Sequence, residues 1–184
     1  MADLTPLLAF RWSPRAFDHT AELSPQDASA LLEAARWAPS ADNSQPWRFA
    51  LGHRDDDTWK RILVSLPGGD QRWARHAAAL VLAARAGGDA ERAGYDLGQA
   101  VAHLTVQATA LGLHVRQLRD LDRAGLVTDL DLPAHVRPHV VIAVGRLGDP
   151  LSLPADLLRA ETGLRHRLPL AALLLTGRAA RYVP

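Results

Sequence analysis

The sequence contains no cysteine, and Lys60 is the only lysine among its 21 basic residues. Without cysteine there can be no disulfide, thiolate nucleophile, iron–sulfur cluster or cysteine-ligated zinc. Because arginine supplies almost all the positive charge, a single arginine says little about function, and only arginines in a regular pattern are informative. The formal net charge of +1 favours neither nucleic acid nor a membrane surface as a partner.

Long apolar runs are missing as well. The longest, residues 77–84, has the length of a strand and is too short to cross a membrane. Residues 1–9 are few and include Asp3, which is atypical of a secretion signal. We therefore expect a cytoplasmic protein that forms one domain over residues 1–184, with enough chain to bury a core.

Familiar catalytic and nucleotide-binding motifs are absent too. There is no Gly-x-Ser-x-Gly elbow, no Gly-x-Gly-x-x-Gly and no phosphate loop with a lysine. His135 and His139 are four positions apart, but Pro138 lies between them and no His-Glu-x-x-His occurs, so we expect no metal site. Glu33 and Glu161 show no pairing that would indicate an acid and a base.

Local patterns predict helices that alternate with a few apolar strands. Ser24-Pro25 starts a helix that ends before Pro39, and Gly87-Gly88-Asp89 precedes a long helix that ends at Gly112. A break is expected at Pro67-Gly68-Gly69, followed by a polar link. The other predicted helices are 3–9, 55–66, 122–130 and 155–160, and the predicted strands are 47–51, 77–84, 113–118 and 140–144. This alternation is typical of an α/β or α+β sandwich in which helices pack on a sheet.

Arg11, Ser13 and Arg15 alternate in a segment that a proline keeps out of a helix. In an extended segment these three side chains point to one side. Guanidinium groups bind phosphate in a bidentate manner and a hydroxyl adds a short hydrogen bond, so the pattern suits a phosphate grip. Arg165 and Arg167 repeat this spacing near the other end of the chain, and the two pairs could clamp one phosphate. The alternative is a solvated basic loop.

A second polar cluster lies in the loop between Pro39 and Pro46. It contains Ser40, Asn43 and Gln45. An amide side chain presents a donor and an acceptor together, as does the edge of a heteroaromatic ring, so this loop suits a ring-shaped ligand. Alternatively, these are ordinary polar loop residues.

Short segments spread along the chain carry a family resemblance. They are Arg-Trp-Ser-Pro-Arg-Ala-Phe-Asp at 11–18, Ala-Pro-Ser-Ala-Asp-Asn-Ser-Gln-Pro-Trp-Arg-Phe at 38–49, Asp-Gln-Arg-Trp at 70–73, Tyr-Asp-Leu-Gly-Gln-Ala at 95–100, Ala-Leu-Gly-Leu-His-Val-Arg-Gln at 110–117, Val-Ile-Ala-Val-Gly at 141–145 and Arg-His-Arg-Leu-Pro-Leu at 165–170. In this order and spacing they resemble the FMN-dependent nitroreductase family over residues 10–170.

The resemblance implies an α+β fold, a three-layer sandwich with a central, mostly antiparallel sheet flanked by helices. It implies an extended C-terminal arm, residues 146–184, that reaches a partner subunit. It also implies a homodimer with FMN at the subunit interface. The long helix would then lie at the dimer centre, where Gly94 and Gly98 would permit close approach.

The resemblance assigns the FMN phosphate to residues from both ends of the chain. Arg11, Ser13 and the backbone of Trp12 would hold the phosphate. Arg165 and Arg167 would close on the same phosphate from the other side.

Other residues are assigned by the resemblance to the flavin ring. Arg15 matches a position near the pyrimidine edge, where its charge would stabilise N1 and O2 of the reduced ring. Asp70 or Gln71 would lie beside the same edge, and the backbone of Leu118 and Arg119 would approach N5 and O4. The loop residues that would reach FMN held mainly by the other subunit are Pro39, Ser40, Asn43 and Gln45.

Two positions depart from the family pattern. Asp70 stands where the family often has asparagine, and a carboxylate there disfavours negative charge on the reduced ring unless it turns away and Gln71 takes its place. Arg119-Asp120 stands where the family often has two glycines, which let the backbone come close to the flavin.

The resemblance implies an enzyme whose cofactor carries the chemistry. NAD(P)H would give a hydride to flavin N5, and a nitroaromatic, quinone or related small acceptor would then take it in a ping-pong cycle without an acid–base triad. Two alternatives are open. One is another flavin reaction on the same scaffold, such as an ene- or azoline-type dehydrogenase, a dehalogenase or a flavin destructase. The other is a flavin-binding protein without turnover.

Overall fold

Four strands form one antiparallel sheet in the computed structural model, which describes residues 4–175. They are β1 (Trp47–His53), β2 (Ala79–Ala86), β3 (His114–Leu118) and β4 (Val136–Gly145). The α-helices are α1 (Pro6–Ala9), α2 (Pro25–Arg36), α3 (Asp57–Val64), α4 (Gly68–Ala74), α5 (Ala90–Ala110), α6 (Arg123–Asp129) and α7 (Ala155–Glu161). The strand order is β1-β2-β4-β3, so β1 and β3 form the two edges of the sheet.

Helices cover both faces of the sheet, because the side chains of its central strands are apolar on both sides. On one face Val81 and Ile142 pack against α2 and α5. On the other face Leu80, Leu82 and Val141 pack against α3, α4 and α6. Neighbouring residues of a strand point to opposite faces, so one apolar strand serves two cores. The predicted three-layer α+β sandwich is confirmed.

The predicted strands are present, with shifted ends. The strand expected at residues 77–84 begins two residues later, as β2. The strand expected at residues 140–144 extends back to Val136. Pro138 is tolerated inside it because β2 and β4 change register between residues 83 and 84, and a bulge of this kind removes the need for a ladder N–H.

The helix that begins near Asp57 ends at Val64, before Pro67, as predicted. The polar link expected after this break is wrong, because residues 68–74 form the helix α4. Its two glycines each cost about 1 kcal/mol relative to alanine. Trp73 and Ala74 at its other end, however, are 1% and 0% exposed. Burying a tryptophan side chain contributes about 4 kcal/mol by apolar area, which outweighs the cost of the glycines.

Two predicted segments extend beyond the described residues. The helix expected at residues 3–9 covers only Pro6–Ala9, and Asp3 lies outside the described part of the chain. The arm expected at residues 146–184 begins as a short pairing with the N-terminal segment, continues through α7 and is described as far as residue 175.

The chain that follows β4 anchors the end of the N-terminal segment. The Asp18 N–H donates to the Arg146 carbonyl at 3.0 Å, and the Gly148 N–H donates to the Ala16 carbonyl at 2.9 Å. This pairing fixes the segment immediately before it, residues 11–15. None of the helices within residues 4–175 is both long enough and apolar enough to cross a membrane.

Candidate functional site

Residues 11–15 have no regular secondary structure and are held from distant parts of the chain. Arg165 reaches back to the start of this segment. Its guanidinium donates to the Arg11 carbonyl at 2.7 Å and to the Ala9 carbonyl at 2.9 Å. The two ends of the described chain therefore meet here.

Two more charged side chains hold the middle of the segment. Arg116 of β3 donates through Nη1 to the Ser13 carbonyl at 2.8 Å. Both carboxylate oxygens of Glu161 accept from the Arg15 N–H, at 2.9 and 3.1 Å. The backbone of residues 13–15 is thus held by a side-chain donor at residue 13 and a side-chain acceptor at residue 15.

Three guanidinium groups gather beside this segment. The pKa of Arg11 is lowered from its ordinary value, first by partial burial and then by the positive charges of Arg165 and Arg167. Within residues 4–175, none of the three forms a salt bridge with a carboxylate. A cluster of positive charge without a protein counter-ion suits a bound anion such as phosphate. Trp12 and Ser13, which follow Arg11, are partly buried.

Arg116 is the centre of a second charged group. Its guanidinium lies 5.5 Å from the centroid of the Trp73 ring, an arrangement that attracts a cation to the ring face. Burial and then the charge of Arg15 lower the pKa of Arg116, while the charges of Glu161 and Asp70 act in the opposite direction.

The structure gives Asp70 and Gln71 partners within the chain. The Asp70 carboxylate accepts from the Trp73 indole N–H at 3.0 Å. The Gln71 amide donates to the Leu66 carbonyl at 2.7 Å. The carboxylate at position 70, which departs from the family pattern, is therefore bound to the same tryptophan that lies beneath Arg116.

The residues of the polar loop before β1 form hydrogen bonds mainly with one another. The Ser40 hydroxyl accepts from the Gln45 N–H at 3.0 Å, and the Gln45 amide donates to Asn43 Oδ1 at 3.1 Å. Asp42, Asn43 and Gln45 have φ values of 54°, 54° and 46°, in the left-handed region that costs non-glycine residues energy. The Ala41 N–H donates to the buried Asp96 of α5 at 3.2 Å. These bonds fix the shape of the loop.

This loop lies far from the arginine cluster. It leads into β1, whereas residues 11–15 contact β3, and these edge strands are three strand spacings, or about 14 Å, apart. No hydrogen bond or ion pair in the described part of the chain joins the two. Pro39 and Ser40 instead line a cleft of about 560 Å³ with Tyr95, Asp96 and Gln99 of α5, among others. A single chain does not bring the predicted ring-binding loop to the predicted phosphate clamp.

Leu118 and Arg119 lie at the end of β3. The Leu118 side chain is buried in the core, and Arg119 is exposed. Arg119 borders a cavity of about 190 Å³ that is also lined by Gly98 and His139. The pKa of His139 is lowered by burial and then by nearby positive charges, with Arg119 the largest of these.

Sequence patterns do not identify Arg116 or Glu161 as site residues. Arg116 lies between Val115 and Leu118 in a strand that also contains His114 and Gln117, so its charge alone does not stand out. Glu161 is not paired with a second carboxylate in the sequence. Its position one turn after the partly buried Leu157 is the sequence feature that agrees with its burial.

Comparison with known proteins identifies the fold family. The model of the nitroreductase family matches residues 8–66. A crystal structure of an oxidoreductase containing FMN shares 34% identity with this chain at a TM-score of 0.87, covering 96% of this chain and 93% of the other. This chain belongs to the nitroreductase family.

Other members of the nitroreductase family resemble this protein less closely. A Desulfovibrio desulfuricans protein, assigned as a nitroreductase and solved in complex with FMN, is 26% identical at a TM-score of 0.78, covering 96% of this chain and 99% of that one. YdgI of Bacillus subtilis strain 168, assigned as an NAD(P)H nitroreductase, is 27% identical over 146 residues, which span 79% of this chain and 65% of YdgI. The nitroreductase fold therefore extends over nearly the whole of this chain.

Proposed function

We propose that this nitroreductase-family protein binds FMN and uses it to pass electrons from NAD(P)H to a small-molecule acceptor. Family membership and the FMN in the two similar structures support a flavin oxidoreductase. The assignment of YdgI supports NAD(P)H as the reductant. The observation that carries the proposal is the cluster of Arg11, Arg165 and Arg167, which lacks a carboxylate partner within residues 4–175.

The residues of this cluster fit the FMN phosphate. A phosphate monoester carries close to two negative charges at neutral pH, which matches a cluster of guanidinium groups. Arg165 uses two N–H donors on backbone carbonyls and keeps the others for a ligand. The Ser13 hydroxyl lies in the same held segment and adds a donor.

Bound FMN supplies hydride transfer at its N5 atom. The chain binds and orients the cofactor, and no acid–base triad is needed. Arg15, whose charge acts on the neighbouring Arg116, would stabilise negative charge on the pyrimidine side of the ring. Asp70 is engaged by the Trp73 N–H, so its charge is partly satisfied within the protein.

Arg15→Ala is expected to slow the anaerobic bleaching of flavin absorbance by NADH or NADPH about a hundredfold, because one group that stabilises developing charge is lost. FMN affinity should fall much less, since the phosphate cluster is intact. Stopped-flow absorbance measures the rate, and Arg15→Lys, which keeps the charge, is the matched control. An unchanged bleaching rate in the alanine variant would show that Arg15 does not have this role.

We further propose a homodimer in which each FMN site is completed by the partner. The loop at residues 39–45 and the arginine cluster lie at opposite edges of one sheet, so a second chain is required to bring them together. The C-terminal arm also exposes leucines that need a covering surface. Their exposed fractions are 60–103%, at Leu164, Leu168, Leu170, Leu173, Leu174 and Leu175.

Gly98→Leu is expected to shift the protein from dimer to monomer. Tyr95, Gly98 and Ala102 form an exposed stripe on α5, and no atom lies within 4 Å of a Cβ added at Gly98. The single chain therefore tolerates leucine there, whereas a helix packed on this stripe does not. Analytical ultracentrifugation measures the change. Gly69→Leu, at a helical glycine with equally open surroundings, is the control, and a dimer of unchanged stability in Gly98→Leu would rule out this interface.

We also propose that residues 1–184 act as one domain and that the protein is cytoplasmic.

A second candidate function is flavin binding without turnover. It is favoured by Arg119, a large exposed residue where backbone approach to the flavin is expected. The two functions differ in one observation: NADH or NADPH bleaches the flavin of a reductase under anaerobic conditions and leaves that of a non-catalytic protein unchanged. A panel of nitroaromatics, quinones and other acceptors then separates a nitroreductase from another flavin reaction on the same scaffold.

A further inference from the structure

A buried acid holds the segment that carries the proposed cofactor residues. Glu161, the last residue of α7, is 7% exposed. Its side chain accepts only the Arg15 N–H, with both oxygens, among the hydrogen bonds of residues 4–175. A buried carboxylate is costly unless it is paired and hydrogen-bonded, so its retention here needs a reason beyond packing.

Arg116 is the complementary group, and it binds the same segment two residues earlier. It is partly buried, donates to the Ser13 carbonyl at 2.8 Å and lies over the ring of Trp73. Ser13 and Arg15 are two residues apart, so a cation and an anion from distant elements hold two nearby backbone groups of one segment. An apolar side chain at either position would leave a backbone group without its partner.

We propose that Glu161 and Arg116 are positioning residues that fix the backbone of residues 13–15, and through it the Ser13 hydroxyl and the Arg15 guanidinium. The expected effect on FMN affinity rests on the proposed function. Glu161 lies four residues before Arg165, so one short stretch of chain holds both the start and the end of the cofactor segment. The position of the C-terminal arm therefore affects the shape of the proposed FMN site.

The first readout is independent of FMN. Hydrogen exchange of the Arg15 amide, followed by NMR on the full chain without cofactor, is expected to be about ten- to hundredfold faster in Glu161→Ala. Glu161→Gln, which keeps the shape and one acceptor oxygen, should show a smaller increase. Asp156→Asn is the matched control on α7, because Asp156 is exposed and its side chain pairs with Arg72 and not with residues 11–15.

The second readout is FMN binding. Glu161→Ala and Arg116→Met are each expected to raise the Kd for FMN about tenfold or more, and Glu161→Gln should retain part of the wild-type affinity. Ile62→Val, at a fully buried position of α3 that forms no hydrogen bond with residues 11–15 through its side chain, provides a destabilised control. A purely structural role would lower the melting temperature of the Glu161 variants and leave the Kd at the wild-type value, as in Ile62→Val.

Faster Arg15 exchange together with weaker FMN binding supports the proposal. Unchanged exchange in Glu161→Ala, or faster exchange with an unchanged Kd, overturns it. If the wild-type protein binds no FMN, the proposed function fails. The exchange comparison then decides alone, because faster exchange still supports positioning of the segment and unchanged exchange overturns it.

Discussion

Replacing Arg11 and Arg165 together by alanine is expected to weaken FMN binding about a thousandfold. Each charge-assisted hydrogen bond contributes about 1.5–3 kcal/mol, and about 1.4 kcal/mol corresponds to a factor of ten in Kd. Arg165 also holds the carbonyls of Ala9 and Arg11, so its loss both removes charge and frees the segment. Titration of FMN fluorescence with purified protein measures the Kd.

Two single variants separate the effect of losing charge from the effect of freeing the segment. Arg167→Ala removes charge without freeing the segment, since the only described hydrogen bond of the Arg167 side chain is to its neighbour His166. It should weaken FMN binding about tenfold. Arg159→Ala removes an exposed arginine of α7 and should leave the Kd unchanged. If FMN affinity fell equally in the Arg159 variant and in the double variant, the result would contradict a phosphate clamp. It would indicate a general effect of positive charge.

Gly52→Ala is expected to lower the free energy of unfolding by about 3 kcal/mol or more. A Cβ at Gly52 of β1 would meet the backbone of Trp59 in α3, with the Trp59 nitrogen closest and its Cα at 2.5 Å. The backbone there cannot yield easily, because the Asp56 side chain caps α3 by accepting from the Trp59 N–H at 2.7 Å. Urea denaturation of the two proteins measures the difference.

Gly69→Ala is the control for this effect. Gly69 lies in α4 with no atom within 4 Å of an added Cβ, so alanine should stabilise the protein by about 0.5–1 kcal/mol through helix propensity. A Gly52→Ala protein as stable as wild type would mean that β1 and α3 are not packed as described.

Helix starts could be predicted because they depend on neighbouring residues. Ser24 accepts from the Asp27 N–H at 3.0 Å, and Asp89 accepts from the Arg92 N–H at 2.8 Å. Both caps are readable from sequence, since the side chain and the N–H are three residues apart. α4 could not be predicted in this way, because its stability comes from burying Trp73 against distant parts of the chain.

The arginines of the site could be predicted from the sequence, whereas the residues that hold the segment in place could not. Arg11, Ser13 and Arg15 alternate at every second residue, as do Arg165 and Arg167, which indicated two grips on one phosphate. The structure brings Arg11, Arg165 and Arg167 together. Glu161 carries no such pattern. Its contact with Arg15 spans 146 residues, and a contact of this kind depends on the tertiary fold. The clamp role of these residues stays a prediction until binding is measured.

The absorbance spectrum of the purified protein, followed by release and quantification of its cofactor, tests the account most directly. We predict flavin absorbance maxima, and on denaturation a fluorescent supernatant that contains one FMN per chain, or two per dimer. A colourless protein that leaves the absorbance and fluorescence of added FMN unchanged would contradict the account.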